Sequence, residues 1–173
     1  MLHTKVAIAP LTFCLASILA IGCGAQSPPP PSPEPTAAPA AGNSTAPWAT
    51  VTAVAAIPQT DEGYTFTVTV QSPDTGCDQY ANWWEVVSEE GDLLYRRILA
   101  HSHGDEQPFE RAGGPVAIAP DQTVIVRAHM YPDGYGTQAM QGSPNQGFQT
   151  TTLPADFAVE LADVDPQPNH CAF

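Results

Sequence analysis

Between Tyr64 and Val70 the chain reads Tyr-Thr-Phe-Thr-Val-Thr-Val. A strict period of two is the side-chain repeat of a β-strand. It sets Tyr64, Phe66, Val68 and Val70 on one face and the threonines on the other. That is the pattern of an antiparallel strand with one face on a core and one in water. Thr123 to Met130 repeats it, with Val124, Val126, Ala128 and Met130 on one face and Ile125, Arg127 and His129 on the other. Ala49–Ala56, Tyr80–Val87 and Leu93–Ala100 are further predicted strands, and Gly147–Leu153 is a weaker one.

Turn-forming clusters separate these runs: Asp61-Glu62-Gly63, Ser72-Pro73-Asp74-Thr75-Gly76, Glu89-Glu90-Gly91-Asp92 and Pro132-Asp133-Gly134. Glu89–Asp92 joins two strong strands and is the clearest hairpin. Pro154–Ala162 fits either a short helix or a strand. No long amphipathic helix and no internal repeat is present. About six to eight short strands with frequent turns predict an all-β fold, a single antiparallel β-sandwich, loosely immunoglobulin-like, with a small barrel as the alternative.

The first part of the 173-residue chain cannot join that fold. Residues 1–22 hold a weakly basic start, with Lys5, and an apolar run from Val6 to Ile21 interrupted by Pro10 and Thr12. This is the layout of an export signal, to be left out of fold reasoning. The run is nearly long enough to span a bilayer, but no basic stop-transfer cluster follows it. Ser27 to Pro47 carries prolines at 28, 29, 30, 31, 33, 35, 39 and 47 among Ala, Ser, Thr and Gly. Such a segment buries no core and favours polyproline II, with a reach of up to roughly 65 Å at ~3.1 Å per residue. Residues 23–47 therefore read as a linker and 48–173 as the domain, which holds all the Trp and Tyr residues and all the Phe but Phe13. Without Lys5 the remaining cations are Arg96, Arg97, Arg111 and Arg127, and the net charge falls one below the whole chain's −13. A surface this acidic repels phosphate backbones, so nucleic acid is excluded as a partner, and it favours solubility or attraction of cations.

Gly22 and Cys23 stand between the apolar run and the linker, in the string Leu19-Ala20-Ile21-Gly22-Cys23. This order resembles the lipobox of bacterial lipoproteins, with Ala20 where leucine is usual. The resemblance implies that 1–22 is removed and that Cys23 becomes the N-terminus, carrying palmitate-type acyl chains. Several chains on one residue suffice for stable anchoring where one does not. Gly24, in place of Asp, implies the outer membrane in a host with two membranes. Within the domain, Trp83-Trp84-Glu85, Tyr95-Arg96-Arg97, His101-Ser102-His103 and Gly113-Gly114-Pro115 resemble a group of small uncharacterised secreted bacterial proteins, which implies no activity.

Cys77 and Cys171 are the two cysteines left in the domain. Outside the cytoplasm such a pair is expected to form a disulfide. On a strand Tyr80, Asn82, Trp84 and Val86 share a face, and Ala81, Trp83, Glu85 and Val87 share the other. One Trp then belongs to the core, and an exposed Trp83 or Trp84 would suit stacking on a sugar or peptide. His101-x-His103 sets two imidazoles on one side of an extended chain, about 6–7 Å apart at Cα. His129, beside Met130, would supply a third nitrogen from another strand. Imidazole with a thioether suits copper, and imidazole with carboxylate suits zinc. His-x-His followed by Gly104-Asp105 is similar to copper–zinc superoxide dismutases, but the remaining histidine ligands and the zinc subloop of that family are absent.

Arg96 and Arg97 point to opposite faces, and one on a covered face needs a carboxylate such as Glu85. Hydrolase signatures and phosphate-cradling glycine loops are missing, and Asp105, Glu106 and Glu110 have no diagnostic spacing, so no residue is assigned a catalytic role. The reading is a lipid-anchored envelope protein that binds or bridges an envelope protein or a glycan without chemistry. The alternatives are copper or zinc binding through His101, His103 and His129, and an enzyme with a loop-built site.

Overall fold

The computed structural model describes residues 47–60 and 63–172. The expected export signal at 1–22, Cys23 and nearly all of the expected linker at 23–47 lie outside them. The described residues form strands β1 (Thr50–Gln59), β2 (Gly63–Gln71), β3 (Tyr80–Ser88), β4 (Leu93–Ile98), β5 (Phe109–Val116), β6 (Val124–Tyr131), β7 (Gly134–Tyr135), β8 (Gln138–Ser143) and β9 (Gly147–Thr152), then a 3-10 turn at Val159–Asp163. One sheet has the order β1-β2-β5 and the other β4-β3-β6-β8-β9, with β7 pairing β6. Every pairing between strands is antiparallel. The two sheets pack together as an all-β sandwich.

The alternation read in the sequence supplies the core. Phe66, Val68 and Val70 of β2 meet Trp84 and Val86 of β3 and Val124, Val126, Ala128 and Met130 of β6. Fully burying side chains of this size stabilises by roughly 1.5–3 kcal/mol each. β1 packs against β8 and β9, and β4 against β5, so both flanks of the sandwich are closed. The Glu89–Asp92 hairpin forms as expected: Ser88 N–H donates to the Asp92 carbonyl at 2.9 Å and Gly91 N–H to the Ser88 carbonyl at 3.1 Å. Gly91 takes φ +96°, which an L-side chain rarely adopts.

Three strands lie outside the sequence-based expectation. In β5 the Gly113-Gly114-Pro115 run breaks the alternation. A Cβ on Gly113 would stand 2.6 Å from the Tyr95 hydroxyl oxygen and 3.0 Å from the Trp84 ring, so the missing side chain is what lets these rings approach. β8 is nearly as polar as a loop, and β7 is two residues long. Pro154–Ala162 resolves as an irregular segment entering the 3-10 turn.

The facing of β3 needs a correction. The register against β6 shifts between Ala81 and Trp83. Ala81 therefore joins Trp84 and Val86 in the core, while Asn82 and Trp83 both meet His129 on the outer face. β3 is buried along its whole length. The C-terminal segment lies over its outer face, with Phe157 packed on Ile125, Ala139 and Leu153.

Candidate functional site

Polar side chains gather in two places, and they differ in how completely they are paired. The first is the covered outer face of the large sheet. Glu85 is fully buried, and its Oε2 accepts from Arg96 Nε at 2.9 Å and Nη2 at 2.7 Å. Its Oε1 accepts from Arg127 Nε at 2.9 Å. Arg96 also donates to the carbonyls of Leu161 (2.6 Å), Val164 and Pro166 (3.1 Å), which engages all five of its N–H groups. Arg127 donates to the carbonyls of Phe157 (2.7 Å) and Ala158 (2.8 Å). Two guanidiniums thus hold the C-terminal segment to the sheet through its backbone. Charge-assisted bonds of this kind are about twice as strong as neutral ones.

Aromatic rings seal this network. Arg96 lies 4.3 Å above the Trp83 ring and Arg127 3.6 Å from the Tyr135 ring. Trp83 stacks on His129 at 3.9 Å, and His129 Nδ1 stands 2.6 Å from Asn82 Oδ1. Burial, aided by the nearby charges of Arg96 and Arg127, pushes the His129 imidazole down to about 3. Burial likewise pushes the Tyr135 phenol up to about 12. At neutral pH both rings stay uncharged.

The second place is the end of the sandwich where the loops 72–79 and 99–107, the β6–β7 turn and the C-terminal tail meet. The Cys77–Cys171 disulfide is formed there, with Cα atoms 5.6 Å apart, and ties residues 94 positions distant. Ala172 N–H donates to the Ala100 carbonyl at 2.6 Å, so the tail is also sewn to the His101–His103 loop. Asp74 organises this end. Its Oδ1 accepts from Ala81 N–H at 2.9 Å and its Oδ2 from His103 N–H at 2.8 Å. Gln107 adds a bond to the Ser72 backbone and another to the His103 carbonyl.

Two clefts open at this end. One, of about 430 Å³, is lined by Thr75, Ser102 and His103 and by the carboxylate residues Asp74, Asp105 and Glu106. The other, of about 250 Å³, is lined by Tyr80, Asn82, Tyr131, Pro168, His170 and the disulfide. Tyr131 is 47% exposed there, its ring 6.1 Å from that of Tyr80. Burial raises the Tyr80 phenol above its ordinary value.

The histidines proposed as metal ligands are divided between the two places. His101 and His103 come together, ring centroids 4.4 Å apart, and His103 lines the first cleft. His129 sits on the sheet's outer face, held by Trp83 and Asn82. Among the described residues no group of three or more His, Cys, Asp or Glu side chains is placed to hold a metal ion.

His103 is nearly fully buried and stacks on Phe109 at 3.9 Å. Neither of its ring nitrogens has a hydrogen-bond partner. Asp74 Oδ2 is 4.0 Å from Nδ1, beyond hydrogen-bond reach. Burial, with the Arg111 charge, holds this imidazole below its ordinary range. Glu106, exposed at the cleft rim, is lowered by its 2.9 Å bond to Arg111.

Stacking of a ligand on Trp83 or Trp84 is corrected by their burial. Trp84 lies in the core, and Trp83 is sandwiched between His129 and Arg96. Among the described Trp, Tyr and Phe residues the exposed ring is Tyr131. Asp74 is not marked as a site residue by any sequence motif; its turn, Ser72-Pro73-Asp74, is a place where an aspartate caps local backbone. Arg127 went unpaired because its partner lies 42 residues away.

A protein of the archaeon Halomicrobium mukohataei named "Putative lipoprotein" is 38% identical to this chain over 96 residues, 53% of this chain and 47% of that protein. The match thus spans about half the length of that relative. No family model matches the chain, and no solved structure matches it.

Proposed function

We propose that this chain is an exported protein held at a membrane by lipid on Cys23, with residues 1–22 as its signal, 23–47 as a spacer and 48–173 as a binding domain without catalytic chemistry. The observation that carries the reading is the Leu19–Cys23 string ahead of a proline-rich linker. It gains support from the relative named as a lipoprotein. No helix among the described residues is long and apolar enough to cross a membrane.

Partner contact belongs to the loop end. The C-terminal segment covers the charged part of the large sheet's outer face, and a cleft of about 320 Å³ beside Gln141 and Gln149 opens at the β8–β9 edge, whereas the loop end combines two clefts with an exposed Tyr131. A ring beside an amide and a proline suits a glycan or a peptide of an envelope protein. The non-catalytic reading is favoured by Glu85, whose two oxygens are engaged by arginines.

Fractionation of the producing cell tests the anchor. The parent is expected in the membrane pellet with label from radioactive palmitate, and Cys23→Ser in the soluble exported fraction without it. A Cys23→Ser protein that stays in the pellet would place the anchor elsewhere.

A further inference from the structure

Among the described residues Trp83, Trp84 and Tyr135 each bury one polar side-chain atom without a hydrogen-bond partner, and His103 buries two, both of them imidazole nitrogens. A buried donor or acceptor without a partner costs roughly 1–3 kcal/mol, and such a group calls for an explanation. Both ring nitrogens of His103 are in this position, and the residue lines the 430 Å³ cleft. Nothing about the local packing forces a histidine there. The ring stacks on Phe109 as a phenyl ring would, and the loop is held through the His103 backbone, by its N–H to Asp74 and its carbonyl to Gln107. What a phenyl ring would lack is the pair of nitrogens.

Two further features narrow what would use them. A second imidazole, exposed His101, has its centroid 4.4 Å from that of His103. The same cleft is lined by Asp74, Asp105 and Glu106, and the nearest guanidinium, Arg111, is already bonded to Glu106. Carboxylates repel an anionic ligand and draw in a cation. Imidazole nitrogen selects among cations: it suits zinc, copper and nickel and leaves magnesium and calcium to all-oxygen sites.

We infer that the His101–His103 pair, beside this acidic cleft, binds a divalent transition-metal ion through its two imidazoles. The acidic rim supplies attraction, not a third protein bond, in keeping with the absence of a three-ligand group among the described residues. The ion enters past exposed His101. His129 takes no part, because its ring is committed to Trp83 and Asn82 on the sheet face. The inference deepens the reading of the loop end as the binding end and names one ligand class for it.

Calorimetric titration of the full-length, disulfide-intact protein with Zn²⁺ and with Cu²⁺, run beside His101→Asn, His103→Asn and His129→Asn, tests this. The expected result is a site in the parent that weakens at least about tenfold in His101→Asn and in His103→Asn and is unchanged in His129→Asn. His101 is exposed, so its variant decides the matter even if His103→Asn does not fold. No site in the parent, or a site unchanged in His101→Asn, would overturn the inference. Either result leaves the lipid anchor standing, since that is read from fractionation of Cys23→Ser.

Discussion

The two polar regions of this domain are built from the same kinds of side chain and end in opposite states. On the outer face of the large sheet one buried carboxylate meets two guanidiniums, and those guanidiniums reach five backbone carbonyls of the C-terminal segment. At the loop end a buried imidazole meets no hydrogen-bond partner, although carboxylates and a second imidazole stand close by. A paired network fixes one arrangement of chain, and breaking it is costly. A buried unpaired group costs folding free energy. Trp83 Nε1 and the Tyr135 hydroxyl on the sheet face are unpaired too, so the contrast lies in the ionic pairing, complete at Glu85 and missing at His103. The contrast assigns stability to the sheet face and binding to the loop end.

The comparison breaks most visibly at Glu85. In Glu85→Gln two buried guanidiniums lose their counter-charge, and urea unfolding is expected to register a loss of roughly 3–5 kcal/mol. A loss under 1 kcal/mol would mean the network is dispensable. Acid probes the same face through His129. Its pKa is lowered on folding, so between about 3 and the ordinary 6.5 the unfolded chain binds more protons than the folded one. Stability from this group is therefore full above pH 6.5 and falls as the pH drops toward 3. At ~1.4 kcal/mol per unit the loss is on the order of 5 kcal/mol. The slope should flatten in His129→Asn, measured by unfolding at pH 4, 5, 6 and 7.

The loop end has its own staple. Opening the Cys77–Cys171 link in a double Ser variant should cost roughly 3–5 kcal/mol, because it releases a 94-residue separation. The same variant should leave unfolding of the sheet face dominated by Glu85, which a Glu85→Gln background would reveal as additive losses. Added salt has a smaller effect. With a net charge of −13 and few cations, the surface repels itself, and raising NaCl from low values to 1 M is expected to stabilise by about 1 kcal/mol or less.

The sequence made the sandwich legible wherever one strand face was apolar and the other wet, as in Tyr64–Val70 and Thr123–Met130. It hid β5, where Gly113 and Gly114 stand in place of side chains so that Tyr95 and Trp84 can approach, and β8, whose burial comes from neighbours and not from its own composition. The pairing of Glu85 with Arg96 was readable because the hairpin sets them opposite one another. Its second partner, Arg127, depends on β6 lying beside β3, which no local pattern specifies. Trp83 illustrates the same limit: a period of two says which face a ring takes, but only the tertiary cover says whether that face is wet. His101 and His103 stayed together because they are two residues apart. His129 was separated from them by the sheet itself.

The sharpest test sets one substitution from each region side by side. His103→Leu removes two unpartnered nitrogens at similar volume and leaves the backbone bonds to Asp74 and Gln107 in place, whereas Glu85→Gln breaks a completed network. Urea unfolding of both at pH 7 should give a loss of roughly 3–5 kcal/mol for Glu85→Gln and no loss, or a gain of up to about 1 kcal/mol, for His103→Leu. Equal losses in the two variants would contradict the division of this domain into a part that holds and a part that binds.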